Sequence, residues 1–421
     1  MGIAGFLRKS RRQKVADAPK IEPSAMIEVT DMDRNVIVYF GMGFLPVDGA
    51  VACREQAIAK MVFKTGNIPV LIGVKRGLPF LEYEKNEYDG IANYSIKYAG
   101  SFRDKLQDTF IIHKTLLKIL REVGLERIKC FIMQDYQWLP MRRMARICEQ
   151  SGIVFVPDIM DWFTPTRDYS PAKNLFKTAD TFIRMHCFYP RVTNKIFISH
   201  AFADYFQDKK ANTMVLPCTA KEAQRYPEPK QNSPLILTFA GHPGRKFEKE
   251  KLDWVIKALY ENKSSIRLNI IGLSREECVQ KDASMASYMT ENIRCMGRLP
   301  HKECLEILCQ SDFSIVVRKV NKLTTYGFSS KICEAFANGI PVIATANGDN
   351  GLYIQNGVNG YLCEPSYEAV KRLLKQVESA DPDTVRQMKL RLQKNNPLSI
   401  TAFYESFDAF FHNCTNKVGS K

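Results

Sequence analysis

"GFSSKICEAFANGIPVI", residues 327–343, decides the fold of this chain. Apolar residues recur there at helical spacing, and Gly339 ends the helix before "IPVI" begins a buried strand. A helix followed at once by a continuous apolar strand is typical of a parallel sheet with helices on both faces. Because Ser329 and Ser330 precede the helix, its N-terminus and Lys331 are suited to bind a phosphate.

A carboxylate, Glu334, lies near the start of the same helix. It cannot bind that phosphate, since like charges repel, but its two acceptor oxygens suit the vicinal hydroxyls of a ribose. The alternative is a favourable interaction with the helix dipole, which contributes about 0.3–1 kcal/mol. Position in the sequence does not separate the two.

Strand and helix patterns alternate on both sides of this stretch. The predicted strands are continuous apolar runs at 35–41, 69–74, 129–135, 153–159, 194–199, 213–217, 235–241, 266–272, 293–299, 313–319 and 341–345. A chain of 421 residues is too long for one core, so we predict an α/β protein with two Rossmann-like domains facing a cleft. The predicted parts are a basic tail (1–34), a first domain (35–218), a linker (219–233), a second domain (234–395) and a C-terminal helix (396–421).

Ligands of such sheets bind beyond the carboxyl ends of the strands, so the loops there are the candidate site. "FAGHPGRKFEKEK" (239–251) follows one strand, and Gly241 allows close backbone approach beside the cations of Arg245 and Lys246. This combination suits a diphosphate, although a glycine turn with a solvated basic segment is the simpler alternative. Arg318 ends a second strand, and "ANGDNG" (346–351) follows a third.

Composition limits the classes of partner. The chain is 45% hydrophobic and 25% charged, as globular proteins are, and its net charge of +15 favours an anionic partner. A nucleic-acid-binding protein would interleave aromatic and basic residues or contain a known module, and neither occurs, so we expect no nucleic acid.

The N-terminal segment and the cysteines indicate where in the cell the protein is located. The start of the chain, "MGIAGFLRKSRRQKV", combines apolar and basic residues, as an anchor on an anionic membrane surface does, or is a disordered basic tail. Twelve cysteines without a CxxC pair predict reduced thiols and a cytoplasmic location, at the inner face of the membrane if the tail binds lipid. Six unclustered histidines predict no metal, and "DMD" (31–33) is interpreted as a solvated turn.

The sequence resembles the GT-B glycosyltransferases of family GT4, also called group 1. The resemblance is sharp over about 293–364, where "GFSSKICEAFANGIPVIATANGDNGLYIQNGVNGYLCEP" follows the family's C-terminal signature, and diffuse elsewhere. It implies a GT-B fold whose last helices cross back to the first domain. It also implies a nucleotide-diphospho-sugar as co-substrate, with neither a further cofactor nor a metal.

The resemblance also assigns roles to residues. Glu334 matches the glutamate that holds the nucleotide ribose, and Arg245 and Lys246 match basic residues on the donor diphosphate. Gly43 lies in the loop of "FGMGFLPVDGAVACREQAIAKMV" (40–62), which faces the donor in the family. Asp158 lies where many members have a His-Asp pair that touches the transferred sugar, so we expect a catalytic role for it.

The chain departs from the family at two places. Tyr326 replaces the first glutamate of the E-x7-E motif, so neither donor identity nor retention of configuration follows from the motif. Pro157 replaces the histidine of the His-Asp pair, and Asp161 and Trp162, together with Tyr326, are the expected contacts to sugar or acceptor. His200 directly follows the strand "KIFIS" and is a second catalytic candidate at the cleft.

The predicted function is sugar transfer, with retention, from a nucleotide-diphospho-sugar to a glycan or lipid-linked acceptor. By analogy with the family, the pathway is a cell-surface polysaccharide such as capsule or O-antigen. Two alternatives stay open at this point: a sugar-nucleotide epimerase on the same scaffold, and a degenerate protein that binds sugar nucleotides without turnover.

Overall fold

A computed structural model describes residues 35–45, 49–165, 169–220, 226, 228–229 and 231–416. The predicted basic tail and "DMD" lie outside these ranges, as does part of the predicted linker, so the domain boundaries stay predictions. Within the ranges, every helix is too short or too polar to cross a lipid bilayer. The twelve cysteines are all free thiols.

The first half of the described chain builds one sheet. Its strands are β1 (Val36–Phe44), β2 (Ile68–Lys75), β3 (Tyr83–Tyr88), β4 (Ile91–Lys97), β5 (Ile128–Gln134), β6 (Val154–Ile159), β7 (Asn194–Phe197) and β8 (Asn212–Val215). Its helices are α1 (Gly49–Lys64), α2 (Phe102–Val123), α3 (Trp138–Gln150), α4 (Pro171–Ile183) and α5 (His200–Phe206), with short turns at Arg184–Phe188 and Tyr189–Arg191. The strand order is β3-β4-β2-β1-β5-β6-β7-β8, with β3 antiparallel to β4 and the other pairs parallel.

The second half builds a smaller parallel sheet. Its strands are β9 (Ile236–Ala240), β10 (Arg267–Ile271), β11 (Ile293–Cys295), β12 (Phe313–Val316), β13 (Val342–Thr345) and β14 (Gly360–Cys363), in the order β11-β10-β9-β12-β13-β14. Its helices are α6 (Leu252–Glu261), α7 (Arg275–Lys281), α8 (Met285–Tyr288), α9 (His301–Cys309), α10 (Lys322–Tyr326), α11 (Ser330–Ala337), α12 (Asn350–Tyr353), α13 (Tyr367–Glu378) and α14 (Pro382–Lys394), with a short turn at Arg245–Phe247. The chain ends with a short turn at Ile400–Phe403 and α15 (Tyr404–Asn416).

The last helix returns to the first sheet, as the resemblance implied. Phe407, Phe410 and Phe411 of α15 are buried in the same cluster as Ile37 of β1. Asn212 of β8 donates a hydrogen bond to the carbonyl of Phe410 at 2.9 Å. The two Rossmann-like domains and the crossing helix make this a GT-B fold.

One element of the first sheet escaped the sequence analysis. Strands β3 and β4 form an antiparallel hairpin at the sheet edge, and "YEKNEY" (83–88) is too polar to read as a strand. The sequence does contain a turn signal, the dipeptide Asp89-Gly90. In the structure both residues have positive φ (51° and 74°), as a two-residue hairpin turn requires.

The interior of the first domain holds a buried ion pair between α1 and β6. Arg54 binds both oxygens of Asp158, with Nε–Oδ2 at 3.0 Å and Nη2–Oδ1 at 2.8 Å. Tyr39 of β1 donates to the same carboxylate at 2.7 Å, and Arg54 also donates to the carbonyls of Leu216 and Pro217. Side-chain exposure is 1% for Arg54 and 0% for Asp158.

This pair corrects the expectation that Asp158 touches the transferred sugar. Both carboxylate oxygens are already bound inside the domain, and no part of the side chain reaches the surface. A substrate cannot contact a group that is fully enclosed and fully hydrogen-bonded. Asp158 therefore acts as the buried counter-charge of Arg54.

We predict that Asp158→Ala lowers the free energy of unfolding by about 3–5 kcal/mol, because it leaves the Arg54 guanidinium buried without its partner. Glu84→Ala is the matched control, since its ion pair with Lys75 is exposed and such pairs contribute about 0–1 kcal/mol. Urea denaturation of both variants measures the difference. Unchanged stability of Asp158→Ala with lost activity would restore the catalytic expectation.

Candidate functional site

Each sheet has a point where the strand order reverses, and ligands of open α/β sheets bind there. In the second sheet, β9 lies between β10 and β12, so the crevice opens between the ends of β9 and β12. Gly241 follows β9, and Arg318 follows β12. The two loops that the sequence analysis selected therefore meet at this crevice.

A buried carboxylate, Glu250, organises the crevice. Its Oε1 accepts hydrogen bonds from Arg318 Nη2 at 2.6 Å and from Lys331 Nζ at 2.9 Å. Its Oε2 is buried without a hydrogen-bond partner among the described residues. Burial alone would raise the pKa of Glu250, but Lys331 and Arg318 outweigh it and lower the pKa to about 2.

Lys331 crosses the glycine loop to reach Glu250. A Cβ atom added at Gly241, whose φ is +133°, would lie 2.8 Å from Lys331 Cε and 3.1 Å from its Nζ. Glycine is therefore required for the lysine to pass this close to the backbone. The side chains of Arg318 and Lys331 are 12% and 15% exposed, so each cation still reaches the crevice.

The N-terminus of α11 opens on the same crevice. Ser329 is its N-cap, but the serine hydroxyl forms no capping hydrogen bond, and this buried Oγ has no partner among the described residues. Ser330 begins the helix, and Lys331 follows it. A helix start with an unused hydroxyl and two adjacent cations is a strong arrangement for binding an anion.

Arg245 and Lys246 lie on the short turn of the glycine loop and are both exposed. Lys246 takes a left-handed conformation with φ of 49°, and Lys281 supports the loop through a hydrogen bond to the Gly244 carbonyl at 3.0 Å. Neither Arg245 nor Lys246 joins the ion pairs of Glu250. Their contact with a diphosphate stays a prediction.

Glu334 lies outside the Glu250 cluster. It is the fifth residue of α11, beyond the first turn, so a role in stabilising the helix dipole loses support. Its Oε1 lies 2.7 Å from His301 Nε2, and its side chain is 29% exposed. The carboxylate is thus held at the surface by one contact, and binding of a ribose by Glu334 stays a prediction.

Gly43 ends β1 against α1. Its N–H donates to Glu55 Oε1 at 2.7 Å, and an added Cβ would lie 2.8 Å from the Cα of Ala52. Burial raises the pKa of Glu55 to about 8. Gly43 is therefore required for the packing of β1 on α1, while its contact with a donor stays a prediction.

Tyr326 and Trp162 meet each other rather than an open site. Their rings stack with centroids 4.8 Å apart, and Phe202 of α5 packs against Tyr326 at 5.1 Å. Ser199 Oγ donates to the Tyr326 carbonyl at 2.5 Å. The expectation that Trp162 and Tyr326 contact sugar or acceptor is corrected for Trp162, because the ring is 7% exposed and covered by aromatic neighbours.

His200 lies beside this aromatic contact. Its backbone N–H donates to Asp349 Oδ2 at 2.7 Å, and its Nδ1 lies 3.0 Å from the same oxygen. Asp349 belongs to the "ANGDNG" loop, so the pair joins the two halves of the fold. The imidazole is 52% exposed, and its catalytic role stays a prediction.

Asp161 is the predicted first-domain residue that faces the Glu250 cluster. The residue as a whole is exposed, and its carboxylate is close enough to Lys249, Arg318 and Arg184 for each of these charges to act on it. A Cβ at Gly327 would lie 3.6 Å from its Oδ1. Protein around the carboxylate, together with the charge of Asp135, raises the pKa of Asp161.

The sequence analysis missed Glu250, His301 and Asp349. Glu250 lies in "FEKEK", where alternating charges resemble a solvated surface, and no sequence pattern distinguishes it from Glu248. Asp349 had a signal, since its glycine-rich loop follows a strand. Within the described residues, no three His, Cys, Asp or Glu side chains are grouped so that they could share a metal ion.

Comparison with known proteins assigns the second domain. Residues 221–397 match the sequence model of glycosyl transferases group 1. The second domain is therefore similar to the glycosyl transferases of group 1. No curated protein sequence matches it at a significant level.

Solved glycosyltransferases share the whole fold with this one. Sucrose-phosphate synthase from Thermosynechococcus elongatus is 12% identical, with a TM-score of 0.65 over 90% of this chain and 99% of that one. A glycosyltransferase from Rickettsia africae is 13% identical, with a TM-score of 0.62 over 91% and 99%. Anabaena HepE, solved with UDP and glucose, is 13% identical, with a TM-score of 0.59 over 90% and 100%.

We predict that Glu250→Gln destabilises the protein most at neutral pH. A carboxyl whose pKa falls from 4.5 to about 2 on folding stabilises the protein above pH 4.5 and loses this effect as the pH falls towards 2. The difference between the two pKa values corresponds to about 3 kcal/mol at pH 7.

The measurement is urea unfolding of wild type and Glu250→Gln from pH 7 to pH 4. The gap in the free energy of unfolding should be constant above pH 5 and narrow below about pH 4.5. Glu84→Gln, on an exposed pair, is the control and should show a small gap at every pH. A Glu250→Gln gap that does not narrow in acid contradicts the role of Glu250 as counter-charge.

Proposed function

We propose that this chain transfers a sugar from a nucleotide-diphospho-sugar to a glycan or lipid-linked acceptor in cell-surface polysaccharide biosynthesis. The observation that carries the proposal is the anion site at the β9–β12 crevice, inside the domain that matches the group 1 family. There Arg318, Lys331 and the unused Ser329 hydroxyl converge at a helix start.

The proposed chemistry is departure of the nucleoside diphosphate from the sugar. Negative charge grows on the leaving diphosphate, and fixed cations with helix-start N–H groups stabilise that charge most when they are already in place. Glu250 holds Arg318 and Lys331 in place before the donor arrives. We propose that this arrangement works with no metal ion, because the two cations supply the positive charge.

Glu334 is the proposed contact for the ribose. The carboxylate lies on α11, three residues beyond Lys331, so phosphate and ribose would contact successive turns of one helix. On this proposal the donor displaces the contact between Glu334 and His301. Asp161 is the proposed carboxylate on the acceptor side, since it belongs to the first domain and its charge interacts with that of Arg318.

The retaining outcome is proposed by family resemblance, and Tyr326 changes what accompanies it. The family glutamate at this position contacts the donor sugar, whereas Tyr326 is stacked on Trp162. We therefore propose that contacts to the transferred sugar come from the first domain, with Asp161 as the candidate. Product configuration, determined by NMR of the transferred sugar, tests the retaining outcome.

A thermal-shift screen with UDP-, GDP-, ADP- and CMP-sugars tests the proposal, with hydrolysis measured for each one that stabilises the protein. Anabaena HepE was solved with UDP and glucose, so UDP-sugars are the first to test. Stabilisation by none of these compounds or their free nucleotides contradicts the proposal. A sugar converted to its epimer while still attached to the nucleotide identifies an epimerase, and binding without turnover identifies a degenerate protein.

We predict that Lys331→Gln and Glu334→Ala separate the two parts of the donor. Lys331→Gln should weaken binding of the nucleoside diphosphate about tenfold or more and leave affinity for the free nucleoside unchanged, since the ammonium held by Glu250 is the proposed contact for the phosphate and not for the nucleoside. Glu334→Ala should weaken binding of both by about 1–3 kcal/mol, because the ribose hydroxyls lose their acceptor.

Isothermal titration calorimetry with the diphosphate and the nucleoside measures both effects. Lys319→Gln, at an exposed position beside Arg318, is the control for loss of one charge. His301→Gln controls for loss of the His301 contact. Equal affinity of wild type and Glu334→Ala for the nucleoside contradicts the ribose assignment.

A further inference from the structure

The first domain contains a second crevice, between the ends of β1 and β5. Strand β1 lies between β2 and β5, so the strand order reverses here as well. A cavity of about 220 Å³ opens at this point. Met42 at the end of β1 and Asp135 just after β5 line its floor, and α2 and α4 supply its walls.

Three lysines line this cavity: Lys105 of α2, and Lys173 and Lys177, which are one turn apart on α4. All three are half-buried. None of their ammonium groups forms an ion pair with a carboxylate in the part of the chain that the structure describes. Half-buried cations that lack counter-charges are costly unless an anion joins them.

The carboxylates of the cavity are already occupied. Asp135 Oδ1 accepts from Arg184 at 2.8 Å, and its Oδ2 accepts the N–H groups of Met160 and Asp161. Asp180 accepts from Arg184 Nε at 2.9 Å and from the N–H of Trp138. These acids neutralise Arg184 and fix the loop, so the lysine charges are left for a ligand.

The lysines also act on one another. Burial, followed by the charges of Lys105 and Lys173, lowers the pKa of Lys177 to about 8. The charge of Asp161 raises the pKa of Lys177, but its effect is smaller than that of the neighbouring cations. Burial and Lys173 lower the pKa of Lys105 as well. A bound anion would relieve this repulsion, so the cluster favours a negatively charged ligand.

Aromatic rings complete the walls. Lys173 Nζ lies 3.7 Å from the centroid of Tyr169, and Lys177 Nζ lies 4.6 Å from that of Phe163. Phe102 and Phe176 meet edge to face at the rim, with centroids 6.0 Å apart. The same two helices also carry exposed apolar side chains, Leu106 and Phe110 on α2 and Leu175 and Phe182 on α4.

We propose that this cavity binds the phosphate group of a phosphorylated acceptor. The inference rests on the proposed function, since the cavity lies in the domain opposite the donor site. Lys105, Lys173 and Lys177 would hold the phosphate, and the charge of Asp161 interacts both with Lys177 and with Arg318 of the donor site. The phosphate comes either from a lipid diphosphate or from a soluble sugar phosphate.

The test is calorimetric titration of the full-length chain, with the donor site first saturated by a nucleoside diphosphate that binds it. The probes are farnesyl diphosphate and glucose 1-phosphate, each compared with its phosphate-free form, farnesol or glucose. At least one phosphorylated probe should bind at least about tenfold more tightly than its phosphate-free form. Binding of farnesyl diphosphate alone identifies a lipid source, and binding of glucose 1-phosphate alone identifies a soluble one.

The double variant K173Q/K177Q should weaken binding of the phosphorylated probe about tenfold or more and leave nucleoside diphosphate affinity within about twofold. K114Q/K129Q is the matched control, because it removes the same charge at exposed positions of the first domain away from the cavity. Circular dichroism and nucleoside diphosphate affinity show that each variant is folded.

Failure of this inference and failure of the proposed function give different results. A wild-type chain that binds a nucleoside diphosphate but neither phosphorylated probe overturns the inference alone. Equal weakening by K173Q/K177Q and K114Q/K129Q also overturns it, since the effect would then reflect net charge. A chain that binds no nucleotide overturns the proposed function itself.

Discussion

The buried carboxylate of Glu250 is the constraint on which the second domain's site depends. Arg318 and Lys331 come from different elements, the end of β12 and the start of α11, and two like charges at one crevice repel. Glu250 has both as partners on one oxygen, so it fixes their positions and balances their charge. An anion that arrives at this crevice meets cations that are already oriented, and little reorganisation accompanies binding.

Carboxylates also balance buried cations in the first domain, but there the pairs are fully enclosed. Asp158 and Arg54 satisfy each other completely, and the pair is sealed inside the sheet-helix interface. Asp135 and Asp180 satisfy Arg184 in the same way. The lysines of the β1–β5 cavity differ, because they have no such counter-charge among the described residues. Charge balance therefore separates structural pairs from candidate binding sites.

Two contacts join the halves of the fold beside the crevices. The stack of Tyr326 on Trp162 joins α10 to the loop after β6, and His200 joins α5 to Asp349. Asp161, next to Trp162, interacts electrostatically with Arg318 of one crevice and Arg184 of the other. The tyrosine in place of the family's first glutamate has a structural use, since its ring fills the contact between the halves.

The sequence by itself determined the parallel strands, because continuous apolar runs bounded by helices have few other ways to be buried. It also identified the loops of the candidate site, since glycines and basic residues that follow a predicted strand can be recognised from the sequence alone. Gly241, Arg318 and Lys331 were found in this way. The β3–β4 hairpin was not, because polar edge strands lack the periodicity of buried ones.

Tertiary packing determines which charged side chains are buried in ion pairs and which stay accessible to a ligand. Asp158 lies in an apolar strand and Glu250 in a charged segment, and neither context identifies the partner: Arg54 lies 104 residues from Asp158, and Lys331 lies 81 residues from Glu250. Lys105 and Lys177 likewise meet only because α2 and α4 flank one crevice. Local sequence records the type of a side chain, whereas burial and partners arise from packing between distant segments.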